Sequence, residues 1–152
     1  MPEGYKLENN IIFGKHNSHK GLFEIKIHNP KRRNAVNKEA QAKLAEVIHL
    51  AEADEEVKVI MLHGGKYYSS GNDISIFMQA AGESIDELKK QAKQGIEVVM
   101  VNMVLAVAFC KKPIVAVVRG ECHGVMFTML SHATLVYVAP DAKFRTPFME
   151  SA

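Results

Sequence analysis

The stretch YYSSGNDISIF, Tyr67 to Phe77, decides the fold of this chain because it joins a strand pattern to a helix pattern. The segment before it, VKVIMLHG at 57–64, is rich in branched residues and predicts a buried strand that ends in glycine. Two serines, a glycine and an Asn-Asp pair then form a corner. Such a corner is either a plain tight turn or a turn that directs backbone N–H groups at negative charge.

The composition is that of an ordinary globular chain. Its 152 residues are 47% hydrophobic and carry a formal net charge of +2, which suits one core and one domain. This near-neutral charge gives no argument for a nucleic-acid or membrane partner. Cys110 and Cys122 are too few for a disulfide framework, so a reducing compartment is expected. The longest apolar run, 98–110, is too short to span a membrane and predicts a buried helix.

Strand and helix patterns alternate along the chain, which is typical of the α/β class. The loop NPKRRNAVN ends in Asn37, a good helix N-cap, and Ser84 with Glu87 has the spacing of a capping box. The apolar segment IVAVV predicts a strand buried on both faces, and GECHG predicts a turn. The predicted strands lie at 21–30, 57–62, 114–118, 134–139 and 143–148, and the predicted helices at 37–53, 84–110 and 125–132.

A second corner, VVRGECHGVMF at 117–127, repeats the pattern of the first. Each has a buried strand, a glycine-containing turn and an apolar helix, so each places unpaired helix N–H groups at the end of a strand. Two such donors that converge on one carbonyl oxygen form an oxyanion hole. Plain turns remain the alternative for each corner alone. Neither corner has the glycine and lysine order of a phosphate-binding loop.

The segments SSGNDI, KKPIVAVVRGECHG and AKFRTPF, preceded by NPKRRNAVN, resemble the enoyl-CoA hydratase/isomerase (crotonase) family. The resemblance implies an α/β fold, a crotonase-like spiral of ββα turns, assembled as a homo-trimer or hexamer. It divides the chain into an N-terminal extension, 1–20, and a core, 21–152, that stops before its C-terminal part. It also implies an acyl-CoA thioester substrate and no separate cofactor, because CoA is part of the substrate.

The resemblance also assigns site residues. The two oxyanion-hole donors are the backbone N–H groups of Asn72 and Gly124, with Val125 as the alternative to Gly124. An adenine pocket maps to Ala35 and the backbone around Ser69 and Ser70. Cations pair well with CoA phosphates, although a solvated loop is the alternative for the basic residues. The remaining substrate-binding candidates are Lys31, Arg32, Arg33, Asp73 and Ile74, of which Asp73 also suits a helix cap.

Departures from the family pattern indicate the reaction. Hydratases carry two glutamates where this chain has Phe127 and Phe148, and phenylalanine cannot transfer the protons that hydration requires. The pair SSGND and FRTPF instead resembles peroxisomal-type Δ3,Δ2-enoyl-CoA isomerases and the acyl-CoA-like domains of chromodomain Y proteins. The single isomerase glutamate would lie beyond residue 152, and Glu150 is near but does not match its position.

The expected function is therefore Δ3,Δ2-enoyl-CoA isomerisation in fatty acid β-oxidation, in the peroxisome or else the mitochondrion or cytoplasm. A non-catalytic CoA-binding or protein-interaction module is the alternative, and thioester hydrolysis or dehalogenation is a third possibility.

Other reactive residues suit structural roles. The histidines lack metal-ligand spacing, so no metal is expected. Cys122 beside His123 does not suit a nucleophile pair, since neighbours in a chain rarely align their side chains for that chemistry. Met126, Phe127 and Met129 suit the core. We also expect exposed apolar surface on the helix at 84–110 and the strand at 134–138, which would favour self-association or a partner.

Overall fold

A computed structural model describes residues 1–73 and 97–146 of the chain. The helices are α1 (Lys38–Ala53), α2 (Glu97–Ala108) and the short α3 (Val125–Thr128), with 3-10 turns at Pro30–Arg32 and Met129–His132. The strands are β1 (Lys6–Glu8), β2 (Ile11–Lys15), β3 (Leu22–Ile27), β4 (Val59–His63), β5 (Ile114–Val118), β6 (Glu121–His123), β7 (Leu135–Val138) and β8 (Lys143–Arg145).

The main sheet has six strands in the order β1-β2-β3-β4-β5-β7. The first three strands run antiparallel, whereas β3, β4, β5 and β7 are parallel to one another. The short strands β6 and β8 form a second, parallel pair. The predicted α/β class with a parallel sheet is therefore confirmed, and the carboxyl ends of β4 and β5 lie at the same edge.

Helix α1 begins where the sequence predicts. The Asn37 side chain accepts a hydrogen bond of 3.0 Å from the Ala40 N–H, as an N-cap should. Its predicted apolar face is buried and packs against α2 and the sheet. The predicted start of the second helix, with Ser84 and Glu87, lies outside the described residues.

Strand β5 is buried on one face only, which differs from the prediction. Ile114, Ala116 and Val118 are fully buried, but Val115 and Val117 are only half-buried. The prediction of burial on both faces is wrong for the described structure, because only one face belongs to the core that the helices share. In a fully apolar strand, the sequence does not show which residues alternate between buried and half-buried positions. The packing of the helices decides this.

The N-terminal segment contains two strands that the sequence did not predict. Strands β1 and β2 form a hairpin that joins the main sheet, and Ile11 and Phe13 lie in the hydrophobic core. Asn9 and Asn10, at the tip, both have left-handed backbone (φ 47° and 65°). Asparagine tolerates this conformation and is favoured in two-residue hairpin turns. Residues 6–15 thus extend the sheet.

An apolar surface is exposed on α2 and β7, as predicted. Phe109 is 76% exposed, and Val98, Val101 and Leu105 of α2 are also exposed. All four residues of β7 are exposed, and β7 is the edge strand of the described sheet. Within the described residues, no helix combines the length and apolarity needed to cross a membrane.

Three polar side chains form a cluster beside the main sheet. The Glu24 carboxylate accepts a 2.6 Å hydrogen bond from the Tyr5 hydroxyl and contacts His63 Nε2 at 2.7 Å. Burial lowers the pKa of His63 and outweighs the opposing attraction of Glu24. Burial alone would raise the pKa of Glu24, but the hydrogen bonds from Tyr5 and His63 lower it. The folded state therefore favours neutral His63 beside ionised Glu24.

We expect the free energy of unfolding to fall as the pH is lowered from about 7 to about 5. The unfolded state binds the His63 proton near the ordinary pKa of about 6.5, whereas the folded state binds it only at lower pH. The stabilisation that neutral His63 contributes is therefore present above about pH 6.5. It is lost as the pH falls toward the lower pKa that His63 has in the folded state. His63→Gln should flatten the slope, measured by urea unfolding at each pH. His49→Gln, on the exposed face of α1, is the control, and equal slopes for wild type and His63→Gln would contradict the assignment.

Candidate functional site

The two predicted corners lie side by side. The first follows β4 and the second follows β5, at the carboxyl ends of neighbouring parallel strands. The Ser69 N–H donates to the Glu121 carbonyl at 2.9 Å, and the His123 N–H donates to the Ser69 carbonyl at 2.9 Å. The expected turn at 120–124 thus includes strand β6, because its backbone pairs with the first corner on one side and with β8 on the other.

A close approach of two glycines joins the corners. Gly71 and Gly124 both have positive φ, 94° and 58°. A Cβ placed on Gly71 would lie 3.1 Å from the His123 carbonyl oxygen and 3.8 Å from the Gly124 Cα. Both the backbone conformation and the lack of space therefore require glycine at position 71.

The two predicted donors differ in whether their N–H groups are already hydrogen-bonded. The Asn72 N–H has no hydrogen-bond partner among the described residues. The Gly124 N–H, in contrast, donates to the Arg145 carbonyl at 2.9 Å. This bond contradicts the prediction that Gly124 supplies the second donor, because the pairing of β6 with β8 continues to Gly124 and uses its N–H. The alternative, Val125, has an N–H without a partner in the described part of the chain.

The side chain of Asn72 is directed into the protein. Its Oδ1 accepts a hydrogen bond of 3.1 Å from Nε2 of Gln41 on α1, and its Nδ2 lies 3.6 Å from the Met100 sulfur. The flanking backbone is paired as well: the Gly71 carbonyl accepts from the Val36 N–H, and the Asp73 N–H donates to the Val36 carbonyl. What Asn72 can offer a ligand is therefore its backbone.

Asn34 connects the loop at 29–37 to the first corner. Its backbone is left-handed (φ 60°), and the residue is only 3% exposed. The Nδ2 group donates to the carbonyls of Gly64 (2.8 Å) and Tyr67 (2.7 Å), and Oδ1 accepts from the Asn29 N–H (2.8 Å). The sequence predicts only a loop here. The tolerance of asparagine for left-handed backbone was the one local signal that could have identified it.

The two predicted phosphate-binding arginines already contact carboxylates. Arg32 pairs with Asp73 at 3.0 Å, and Arg33 pairs with Glu121 at 2.9 Å. The arginine of each pair is exposed, although its carboxylate partner is largely buried. Surface pairs contribute roughly 0–1 kcal/mol, so a phosphate could still compete for either arginine. Lys31 is exposed and forms no ion pair with a described residue. Phosphate binding by these three cations stays a prediction, as does a ligand contact of Asp73.

Among the residues predicted to form an adenine pocket, Ser69 differs most from the prediction. Ser69 is fully buried, and its N–H, carbonyl and hydroxyl all bond within the protein. Ser69 therefore cannot contact a substrate, which corrects that prediction. Ser70 donates its N–H and hydroxyl to the carbonyls of Arg33 and Arg32, and Ala35 is 7% exposed, so their roles stay predictions. Ile74 lies outside the described residues.

No described side chain replaces the missing glutamates. The Phe127 ring lies 5.0 Å from the Phe144 ring, and Phe148 and Glu150 lie outside the described residues. Burial raises the pKa of Cys122 to about 12, so its thiol stays protonated and is a poor nucleophile. Met126 and Met129 are buried in the core, as predicted. In the described ranges, no group of three or more His, Cys, Asp or Glu residues could hold a metal ion.

Comparison with known proteins identifies the family. Residues 17–151 match the family described as enoyl-CoA hydratase/isomerase, and the chain belongs to that family. Human enoyl-CoA delta isomerase 2 is 30% identical over 131 residues, which cover 86% of this chain and 32% of that relative. Mouse peroxisomal enoyl-CoA delta isomerase 3 is 29% identical over 133 residues, which cover 88% of this chain and 40% of that relative.

The fold agrees with this assignment. An enoyl-CoA hydratase/isomerase of Xanthobacter autotrophicus Py2 superposes with a TM-score of 0.80 at 25% identity, over 95% of this chain and 51% of that one. The predicted crotonase-like α/β fold is therefore confirmed. The chain spans between about a third and a half of the length of these three relatives.

We expect Gly71→Ala to destabilise the protein more than Gly4→Ala. Both glycines have positive φ, so each substitution costs on the order of 1–2 kcal/mol of left-handed strain. Only at Gly71 would the new Cβ also press against a backbone carbonyl, since nothing lies within 4 Å of the corresponding Cβ at Gly4. Urea unfolding measures both free energies, and equal losses would show that the corners do not constrain each other.

Proposed function

We propose that this chain binds an acyl-CoA thioester at the junction of the two corners. The observation that carries the proposal is the contact of Gly71 with the Gly124 corner, next to two N–H groups that have no partner among the described residues. The residue after each glycine, Asn72 and Val125, supplies one of these groups. These two amides follow the glycines that approach each other and have no acceptor among the described residues, so they suit a single carbonyl oxygen. A thioester carbonyl is the oxygen that family membership suggests.

The chemistry follows from those donors. The thioester carbonyl makes the C2 protons of a 3-enoyl-CoA acidic, and removal of one gives a dienolate whose negative charge gathers on the thioester oxygen. Loss of a single oxyanion-hole donor costs about 3 kcal/mol of transition-state stabilisation in known enzymes. Asn72 and Val125 would hold that oxygen while a base moves the proton from C2 to C4.

Within the family, we propose Δ3,Δ2-enoyl-CoA isomerisation. Phe127 cannot exchange a proton, which disfavours the two-glutamate hydratase reaction. Enoyl-CoA delta isomerases are among the relatives at about 30% identity, which supports an isomerase. The base that shuttles the proton is expected outside the described residues. CoA enters as part of the substrate, and we propose no other cofactor.

A non-catalytic CoA-binding or interaction module is the second candidate. The observation that favours it is that the carboxylates of Asp73 and Glu121, one in each corner, are both paired with arginine. In each pair one carboxylate oxygen already accepts a hydrogen bond from a guanidinium group. Neither carboxylate is therefore poised to act as the missing base.

Assembly and location extend the same proposal. We propose a homo-trimer or hexamer, which the exposed apolar surface on α2 and β7 supports. We propose the peroxisome as the location, with the mitochondrion or cytoplasm as alternatives, because one of the relatives is peroxisomal.

Val125→Pro tests the second donor. Proline lacks an N–H but suits the first position of a helix, which is where Val125 stands. One net hydrogen bond contributes about 0.5–1.5 kcal/mol, so we expect affinity for an acyl-CoA thioester to fall roughly 2–10-fold by titration calorimetry. Val125→Ala, which keeps the N–H, is the matched control and should bind like the wild type. Equal affinities for the two variants would remove Val125 from the site.

An activity assay separates the two candidate functions. We expect the chain as given to bind the thioester but to isomerise 3-enoyl-CoA weakly or not at all, because no described residue serves as the base. Ultraviolet absorbance of the conjugated 2-enoyl product follows the reaction. Full turnover by this chain would show that it carries its own base and would reject the binding-module candidate.

A further inference from the structure

Ser69 is a buried centre of hydrogen bonds between three segments. It is 0% exposed, and each of its polar groups has a partner. Its hydroxyl donates to the Asn34 carbonyl at 2.7 Å and accepts from the Gly71 N–H at 3.1 Å. Its backbone N–H and carbonyl bond to Glu121 and His123 in the second corner, both at 2.9 Å. One small residue therefore connects the loop at 29–37 with both corners.

These bonds orient the Asn72 amide. The Gly71 N–H is held by the Ser69 hydroxyl, and the Gly71 carbonyl is held by the Val36 N–H at 2.9 Å. In a planar trans peptide the carbonyl and the following N–H point in opposite directions. Because the Gly71 carbonyl points at Val36, the Asn72 N–H must point away from it. Glycine has broad backbone freedom, so this direction depends on the bonds that hold Gly71 rather than on its own preferences.

The same residue locates the second corner. The backbone bonds of Ser69 fix Glu121 and His123, and these lead directly to Gly124 and Val125. The His123 carbonyl oxygen is thereby held so close to Gly71 that a Cβ there would lie only 3.1 Å from it, which closes the junction. The hydroxyl of Ser69 thus acts on the first donor, and its backbone acts on the second.

We propose that Ser69 is a positioning residue that sets the Asn72 and Val125 amides on one thioester oxygen. The inference rests on the proposed function, because it assigns those amides to an acyl-CoA substrate. Ser69 itself is buried and touches no ligand. Its hydroxyl is the replaceable part of the arrangement, since Ser69→Ala leaves the backbone bonds in place and frees the Gly71 N–H and the Asn34 carbonyl.

A pair of ligands distinguishes positioning from general stability. An acyl-CoA thioester and the alkyl-CoA thioether of the same chain length differ at the carbonyl oxygen, so the ratio of their dissociation constants reports on the oxyanion donors. A merely structural defect would weaken both ligands together and leave the ratio unchanged. Titration calorimetry on the folded chain gives both constants.

We expect the wild type to prefer the thioester several-fold and Ser69→Ala to lose at least half of that preference. Ser131→Ala is the matched control, because the exposed Ser131 hydroxyl donates to the Thr128 carbonyl at 2.8 Å and forms no hydrogen bond with a described residue of either corner. It should keep the wild-type ratio. If Ser69→Ala does not fold, Ser69→Cys retains similar volume with weaker hydrogen bonds and should also reduce the ratio.

The measured ratios test the role of Ser69 separately from the proposed acyl-CoA site. A wild-type preference that survives unchanged in Ser69→Ala, or in Ser69→Cys where alanine unfolds the chain, overturns the role of Ser69 and leaves the proposed function standing. A wild type that binds neither ligand, or binds both equally, rejects the proposed site and the role of Ser69 with it.

Discussion

The contact between the backbones at Gly71 and Gly124 is the constraint on which the candidate site depends. It exists because β4 and β5 are neighbouring parallel strands, so the segments that leave their carboxyl ends must share one edge of the sheet. A side chain at position 71 would press against the His123 carbonyl and push these segments apart. Glycine at both places lets peptide groups, rather than side chains, form the surface that a ligand would meet.

Buried hydrogen bonds hold this contact together. Asn34 satisfies carbonyls at the end of β4, and Ser69 satisfies groups in the loop and in both corners. Each unpaired buried polar group would cost about 1–3 kcal/mol, so these bonds strongly favour one arrangement of the loop and the two corners. The exposed arginine pairs around them contribute less, because solvent screens them. We therefore attribute the orientation of the Asn72 amide, which has no partner among the described residues, to this buried network.

The family of this protein and its reaction rest on different observations. The fold is shared with an enoyl-CoA hydratase/isomerase, and one fold can carry different reactions. Phe127 packs against Phe144 where a hydratase would carry a carboxylate, so the local environment is apolar. In the proposed function, the two corners would stabilise charge on a thioester oxygen, and the identity of the base would decide which reaction follows.

Local patterns of the sequence determined most elements, and the resemblance to the family placed the first proposed donor at Asn72. The N-cap at Asn37, the strand at 114–118 and the corner at 69–73 follow from nearest-neighbour preferences, which any segment carries with it. Only the tertiary structure decided that Gly124 gives its N–H to Arg145 and that Ser69 lies inside the protein. The same holds for the N-terminal hairpin, which gains its stability from the sheet it joins. These features depend on partners about 20 or more residues away or on packing against the core, and no local pattern encodes such a partner.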